Sequence, residues 1–249
     1  MNNEVINAIK ELQNRLNNVH GEDAMLKTID NYVAELKGEL KKLKDLSWSE
    51  IKTILYSGDA ERVLRVGDEK EFELYTGEKV KAKLISLNPH DVRADYSPTI
   101  KAKATFMFYV DGEYEMNEEC TNVGGWKDSK MRNVYMPRFY KLLPSDLQAL
   151  ILPVKKKTSA GGESEEIVET IDKLFLPSEI EVAGTTDCSC EGEGELYEYF
   201  KNSNMPYTWI WLRSPNPYNT YYFAFWYYTG CVSYSYASTT RAVALCFCL

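Results

Sequence analysis

Near the N-terminus the apolar side chains recur with the spacing of a helix. Val5, Ile9, Leu12, Leu16 and Val19 alternate steps of four and three, as do Leu26, Ile29, Val33, Leu36, Leu40 and Leu43. Such alternation is the heptad pattern of a coiled-coil seam, and it predicts helix over 4–46. The two runs are out of register, with His20-Gly21-Glu22-Asp23 at the slip. A glycine inside a helix costs about 1 kcal/mol relative to alanine, so a bend, stutter or break is expected there. A seam of this length needs a partner, either copies of itself or the globular part of its own chain. We expect self-association into a homo-oligomer through residues 4–46.

Shorter periods follow. Ser47, with Glu50 three residues on, forms a capping box for a helix over Trp48–Leu55 that Gly58 ends. Strands are predicted over Glu71–Tyr75, over Lys79–Leu87 after a Thr76-Gly77 turn, and over Ile100–Val110 up to an Asp111-Gly112 turn. Gly124-Gly125 and Lys127-Asp128-Ser129 lead into a short helix, and Pro144-Ser145-Asp146 opens another over Leu142–Leu152. The polar tract from Lys155 to Glu169 reads as a solvated loop, and Thr185 to Glu195 as a mobile one. Between them, Leu174–Leu176 predicts a short strand and Pro177-Ser178-Glu179 a turn or helix start. The chain closes on Ala242-Val243-Ala244-Leu245-Cys246-Phe247-Cys248-Leu249. Its most apolar strand comes last, which predicts a central place in a sheet.

Residues 207–249 differ in kind. Thirteen aromatic side chains lie between Tyr207 and Tyr236, eight of them Tyr, and Arg213 and Arg241 are the only formal charges. If Phe223 and Phe225 point inward with the period of a strand, then Tyr222, Ala224 and Trp226 point the other way. Val232, Tyr234 and Tyr236 likewise alternate with Ser233 and Ser235. A core tolerates few phenol hydroxyls, because each buried O–H needs a partner. Tyr, Ser, Asn, Thr and Gly are instead favoured where proteins bind other proteins. The competing reading is a Tyr-rich sheet filled with β-formers.

Net charge of −8 argues against a nucleic-acid footprint. No positively charged segment followed by an apolar one marks a signal peptide, and no eighteen-residue apolar run predicts membrane insertion. The six cysteines include the pairs Cys188/Cys190 and Cys246/Cys248. Their one-residue spacers put both sulfurs of a pair on one face of a strand, whereas zinc ligands are normally two to four residues apart. His20 and His90 have no cysteine near them in sequence. No phosphate-binding glycine loop, HExxH or GxSxG is present. Asp187, Glu191, Glu193 and Glu195 are the best candidates for loose Ca²⁺ binding, without the spacing of a calcium loop. Neither a catalytic residue nor a metal or cofactor site is predicted.

Several motifs occur in a telling order: Gly124-Gly125-Trp126-Lys127-Asp128-Ser129-Lys130-Met131-Arg132, Leu143-Pro144-Ser145-Asp146-Leu147, Lys173 to Glu179, Trp211-Leu212-Arg213-Ser214-Pro215 and the terminal Arg241 to Leu249. Over about residues 48–249 the chain resembles a family of phage and bacterial proteins with a "GGW..S.MR" signature. Members look like C-type-lectin-fold proteins, and some are similar to the variable proteins of diversity-generating retroelements. In those, mutagenic reverse transcription at template adenines turns Asn codons into Tyr, Ser, Thr, Cys, Phe or Ala, the set that crowds Tyr218 to Thr240.

The resemblance implies a ligand-binding face made of Tyr218, Thr220, Tyr221, Tyr222, Trp226, Tyr227, Tyr228, Ser233, Tyr234, Tyr236, Ser238 and Thr240. It implies a framework of Trp126, Arg132, Trp211, Arg213, Phe223 and Phe225. Arg241-Ala242-Val243-Ala244 departs from the commoner Gly-Val-Arg-Pro ending. Asn216-Pro217 only partly matches the sugar-binding Glu-Pro-Asn of lectins, so calcium-dependent sugar binding is not expected.

The expected fold is α+β, a C-type-lectin-like domain of the formylglycine-generating-enzyme-like subtype over 47–249, with its variable region at about 216–241. A helical coiled-coil stalk over 1–46 precedes it. The expected function is non-enzymatic binding of a protein or cell-surface ligand, on a phage particle or bacterial surface. Two alternatives are a structural assembly protein with a fixed aromatic interface and a relative of formylglycine-generating enzymes acting through Cys246 or Cys248.

Overall fold

The N-terminal seam is divided between two helices, α1 (Asn3–Leu16) and α2 (Glu22–Leu36). The seam breaks after Leu16; Gly21, at φ of 97°, directly precedes α2 and its carbonyl accepts the Met25 N–H at 3.0 Å, so the slip is a break and not a bend. This computed structural model describes residues 3–17, 19–36, 42–58, 60–95, 100–202, 205, 209–228 and 231–249, with the side chains of 3–6, 36 and 228 outside it. The seam side chains of Val5, Leu36 and Leu40 therefore lie outside the described residues. Arg15 joins the helices, 2.8 Å from the Glu35 carboxylate and 4.7 Å above the Tyr32 ring. Glu35 also reaches Arg65 at 2.6 Å. Ile9, Leu26 and Val33 remain exposed. Leu43 and Leu46 do not belong to a stalk, contrary to the expected boundary after 46. A 3-10 turn over Leu43–Asp45 turns both into the main core.

The capping box holds as predicted: the Ser47 hydroxyl accepts from the Glu50 N–H and starts α3 (Trp48–Ser57), which ends at Gly58 in the left-handed region. Beyond α4 (Ala60–Val63) the chain forms β1 (Glu69–Glu73), β2 (Lys79–Leu87), β3 (Val92–Arg93) and β4 (Ala104–Glu115). Then come α5 (Gly125–Asp128), a π-turn over Met131–Tyr135, α6 (Met136–Leu142), α7 (Ser145–Leu150), β5 (Val154–Ser159), β6 (Ile167–Asp172) and α8 (Glu179–Ala183). The remaining strands are β7 (Ile210–Pro215), β8 (Tyr222–Tyr228), β9 (Cys231–Tyr236) and β10 (Thr240–Cys248). They make a seven-stranded sheet of order β1-β2-β4-β10-β7-β8-β9 and a three-stranded sheet of order β3-β5-β6.

Strand β10 is central, antiparallel to β4 and parallel to β7. Both of its faces are covered, which is why Val243 to Leu249 is continuously apolar and buried. The Phe247 ring stacks on Phe106 at 5.3 Å and meets Trp48 edge-on at 5.7 Å, so α3 closes the core over this strand.

Three expectations fail for identifiable reasons. Asp111-Gly112 does not end its strand: β4 runs on to Glu115, and Gly112, at φ 101°, lies where the β4–β10 register shifts. The glycine serves a bulge, not a hairpin. Leu174–Leu176 contributes only the isolated bridge Phe175–Cys246. The tract from Lys155 to Glu169 is mostly the β5–β6 hairpin, with Lys156 and Thr158 buried. Inward-pointing cationic and hydroxyl side chains removed the apolar alternation by which a strand is recognised.

Candidate functional site

Phe223 and Phe225 are buried in β8, as are Ala224 and Trp226 at 0% and 1% exposure. The assignment of Trp226 to the exposed face is therefore wrong. Trp226 is bracketed by Ile210 of β7 and Val232 of β9, while α8 packs against all three strands and places Val182 in the same core. Covering both sheet faces at that point removes the difference between inward and outward positions.

The other end of the hairpin is open. Strand β9 is the sheet edge, and the ladder sets Tyr222 opposite Tyr236 and Ala224 opposite Tyr234. Cross-strand partners share a face, and the small Ala224 leaves room for the rings around it. Tyr222 lies 5.1 Å from Tyr234 and 4.8 Å from Tyr236, ring centre to ring centre. Tyr218, Tyr221, Tyr234 and Tyr236 are 74%, 50%, 52% and 51% exposed, too much for a core and enough for a contact surface. A hydrogen bond with Tyr236, with burial adding to it, raises the pKa of the Tyr222 phenol. Ser238 and Thr240 are exposed, and Thr220 and Ser233 half-buried. Tyr227 sits apart, 4.8 Å from Trp209. The side chain of Tyr228 lies outside the described residues.

One buried side chain fixes the turn that carries Tyr218 and Tyr221. The Asn122 amide donates to the carbonyls of Asn216, Asn219 and Tyr222 at 3.1, 2.7 and 2.8 Å, and its Oδ1 accepts from the Gly162 N–H at 2.8 Å. Within the turn, the side-chain oxygens of Asn216 and Asn219 accept from the N–H groups of Tyr218 and Tyr221. These local bonds are the usual reason for Asn in turns. Gly161 is required beside the clamp, because a Cβ there would stand 1.9 Å from the Asn122 carbonyl oxygen.

Behind α8 lies a buried ionic network. Arg213, fully buried, donates to both Glu181 oxygens at 2.5 and 2.9 Å, to the Leu176 and Glu193 carbonyls, and through Nε to Thr158. Lys156 bridges Glu181, at 2.6 Å, and Asp91. Tyr197 donates to Asp91 at 3.0 Å, and His90 is 3.0 Å from Glu181. Burial opposes ionisation of Glu181, but Arg213 and Lys156 overcome it and hold its carboxyl well below the usual range. Asp91 is lowered too, the Lys156 ammonium outweighing its burial. Burial pushes Glu193 up to about 7, against the hydrogen bond from Ser214.

A cleft of about 320 Å³ opens over this network between His90, Lys155, Glu169 and Glu195. His90, Asp91 and Glu181 have the proximity of metal ligands. Lys156 already occupies the space between the two carboxylates, and Arg213 supplies a second resident cation. The arrangement anchors α8 to β5 and β7, beneath the strands that carry the tyrosines.

Trp126 is buried and donates to Asp172, which also accepts from Arg132 at 2.7 Å. Trp211 is buried with its indole N–H on the Tyr114 carbonyl at 2.8 Å. Phe223, Phe225 and Arg213 complete the core framework. The acidic candidates for Ca²⁺ do not converge: Asp187, Glu191 and Glu195 are exposed, whereas Glu193 is buried and accepts from the Ser159 N–H at 2.9 Å. Thr185 to Glu195 is not a wholly solvated loop either, since Cys188 and Cys190 are buried in it. Cys246 and Cys248 are fully buried, and burial raises both thiols well above their ordinary value. No helix among the described residues is long and apolar enough to cross a membrane.

The sequence reading missed Asn122, Lys156, Asp91 and Tyr197, which lie far apart along the chain; the segment holding Lys156 reads in sequence as a loop. The Ser178/Glu181 capping box was the one local signal pointing to α8. No curated protein and no solved structure matches the chain. A family model described as Domain of unknown function (DUF6273) matches residues 100–249. That span is more than half of the chain and includes both strands of the tyrosine hairpin, so the chain belongs to the DUF6273 family.

Proposed function

We propose that the chain is a non-enzymatic ligand-binding protein in which a C-type-lectin-like scaffold presents a diversified tyrosine face to a protein or cell-surface ligand. The observation that carries this reading is the exposure of Tyr218, Tyr221, Tyr234 and Tyr236 around Tyr222, at a sheet edge with a densely bonded support. Tyrosine gives large, rigid, amphipathic contact area with little entropy to lose, and clusters of this kind supply the residues that dominate binding. Burial of Cys246 and Cys248 favours this reading over thiol chemistry.

Helices α1 and α2 are proposed to self-associate, with Ile9, Leu26 and Val33 left for a neighbour to cover. Several faces on one oligomer turn weak contacts into avidity. A phage particle or a bacterial surface is the setting proposed for such an oligomer.

The test is to sequence the 3′ end of the gene and its surroundings across isolates. Diversification is expected to change Tyr218, Thr220, Tyr221, Tyr222, Tyr234 and Tyr236 while leaving Asn122, Phe223, Phe225 and Trp226 constant. A nearby near-repeat carrying adenines at those codons, and a reverse transcriptase, should accompany it. Tyrosines invariant across isolates, with no repeat, would overturn the diversification and leave a fixed interface.

A further inference from the structure

Arg241 stands outside the tyrosine cluster and outside the ionic network. It is nine-tenths buried, yet its guanidinium makes no hydrogen bond or ion pair with any described residue, and its Nε is fully enclosed without an acceptor. Its surroundings are aromatic: the guanidinium carbon is 3.7 Å from the Phe225 ring centre, 4.8 Å from Trp209 and 5.3 Å from Trp211. Stacking on ring faces stabilises the cation but satisfies none of its five N–H donors, which point outward in the guanidinium plane. A buried donor without an acceptor is costly and rare in a native fold. Arg213, the other arginine of this region, has every nitrogen engaged.

A second observation concerns Trp209. It is 46% exposed and has φ of 64°, a left-handed conformation that costs a non-glycine residue about 1–2 kcal/mol. That backbone places its indole parallel to Phe225, 5.6 Å away, as the outer wall against Arg241. Strain of this kind, held beside an unsatisfied cation, belongs to ligand clamps more than to ordinary packing. Ser233, directly across from Phe225 in the ladder, shares this side of the sheet.

We propose that Arg241, walled by Trp209, Trp211 and Phe225, is a binding position for a carboxylate carried next to an apolar group, such as the chain end of a polypeptide. The planar fork of arginine matches a carboxylate with two parallel hydrogen bonds, and the exposed indole edge receives the attached apolar group. A dianionic phosphate fits less well, because the site holds one cation, Glu113 lies nearby and the chain is acidic. This inference does not rest on the tyrosine reading, since its ligand is tested directly.

The experiment follows the Arg241 Nε–H signal by ¹⁵N NMR in the full chain during titration with N-acetylphenylalanine, its amide, sodium acetate and inorganic phosphate at constant ionic strength. N-acetylphenylalanine should shift the signal saturably, acetate at least tenfold more weakly, phosphate more weakly still and the amide not at all. Arg241→Lys, which keeps the charge but loses the fork, should weaken N-acetylphenylalanine binding at least tenfold, read from the Trp209 indole signal. Equal shifts with acid and amide, or unchanged binding in Arg241→Lys, would overturn the proposal. Glu113→Gln guards against an internal acceptor: if that variant without any probe moves the Nε–H signal as far as N-acetylphenylalanine does, Glu113 is the partner and the proposal falls.

Discussion

Replacing Arg213 with methionine is the sharpest test of what supports the tyrosine face. The substitution conserves much of the volume but removes both hydrogen bonds to Glu181 and those to the carbonyls of Leu176 and Glu193. Lys156 is then left alone to balance Glu181 and Asp91, both fully buried. Breaking a buried pair by removing one partner costs about 3–5 kcal/mol, and each orphaned carbonyl adds roughly 1 kcal/mol or more. The expected loss is therefore about 5 kcal/mol, comparable with the whole stability of many domains. In a chain of this size it lowers Tm by about 10–20 °C. Urea unfolding followed by far-UV circular dichroism measures it, with a slope near 3 kcal/mol/M moving the midpoint by nearly 2 M. Arg213→Lys keeps the charge without the fork and should lie between. A methionine variant within about 1 kcal/mol of the parent would refute the reasoning, because the Arg213 bonds would then contribute little to holding α8.

Two further outcomes follow from the same geometry. Asn122→Ala removes the amide that holds the carbonyls of Asn216, Asn219 and Tyr222, and is expected to destabilise by about 3 kcal/mol; hydrogen exchange should rise first across 216–222, and an unchanged exchange pattern there would contradict the clamp. Glu193 has its folded pKa raised to about 7 from an ordinary 4.5, so its ionisation opposes folding progressively as pH climbs from about 4.5 through 7. Glu193→Gln should therefore gain on the parent by about 3 kcal/mol over that window, read as the difference between two stability–pH curves, and a difference independent of pH would sink the assignment.

Local signals were the legible part. The Ser47 box rests on a contact three residues apart, which sequence displays directly; the Ser178/Glu181 box has the same spacing, in a segment that reads in sequence only as a turn or helix start. The terminal apolar run likewise announced a strand central in its sheet. Lys156 and Thr158 carried no comparable signal, because a buried ion pair is recognisable only once its distant partners are known. Trp226 failed for a related reason: alternation tells two faces of a strand apart but not whether a helix from elsewhere covers the outer one.

Chain composition was enough to mark residues 207–249 as chemically unlike the acidic remainder, rich in tyrosine and nearly free of charge. The resemblance, not composition, set Phe223 and Phe225 in the framework and the tyrosines near them on a face; the two Phe rings are buried and Tyr218, Tyr221, Tyr234 and Tyr236 are exposed. Which tyrosines meet solvent depended on β9 being the sheet edge and on α8 covering one end of the hairpin. The isolation of Arg241 among aromatic rings, and the gathering of Asp91, Lys156, Glu181 and Arg213, depended on contacts between segments tens of residues apart. Burial and pairing are properties of neighbours in space, and a sequence orders its neighbours only along the chain.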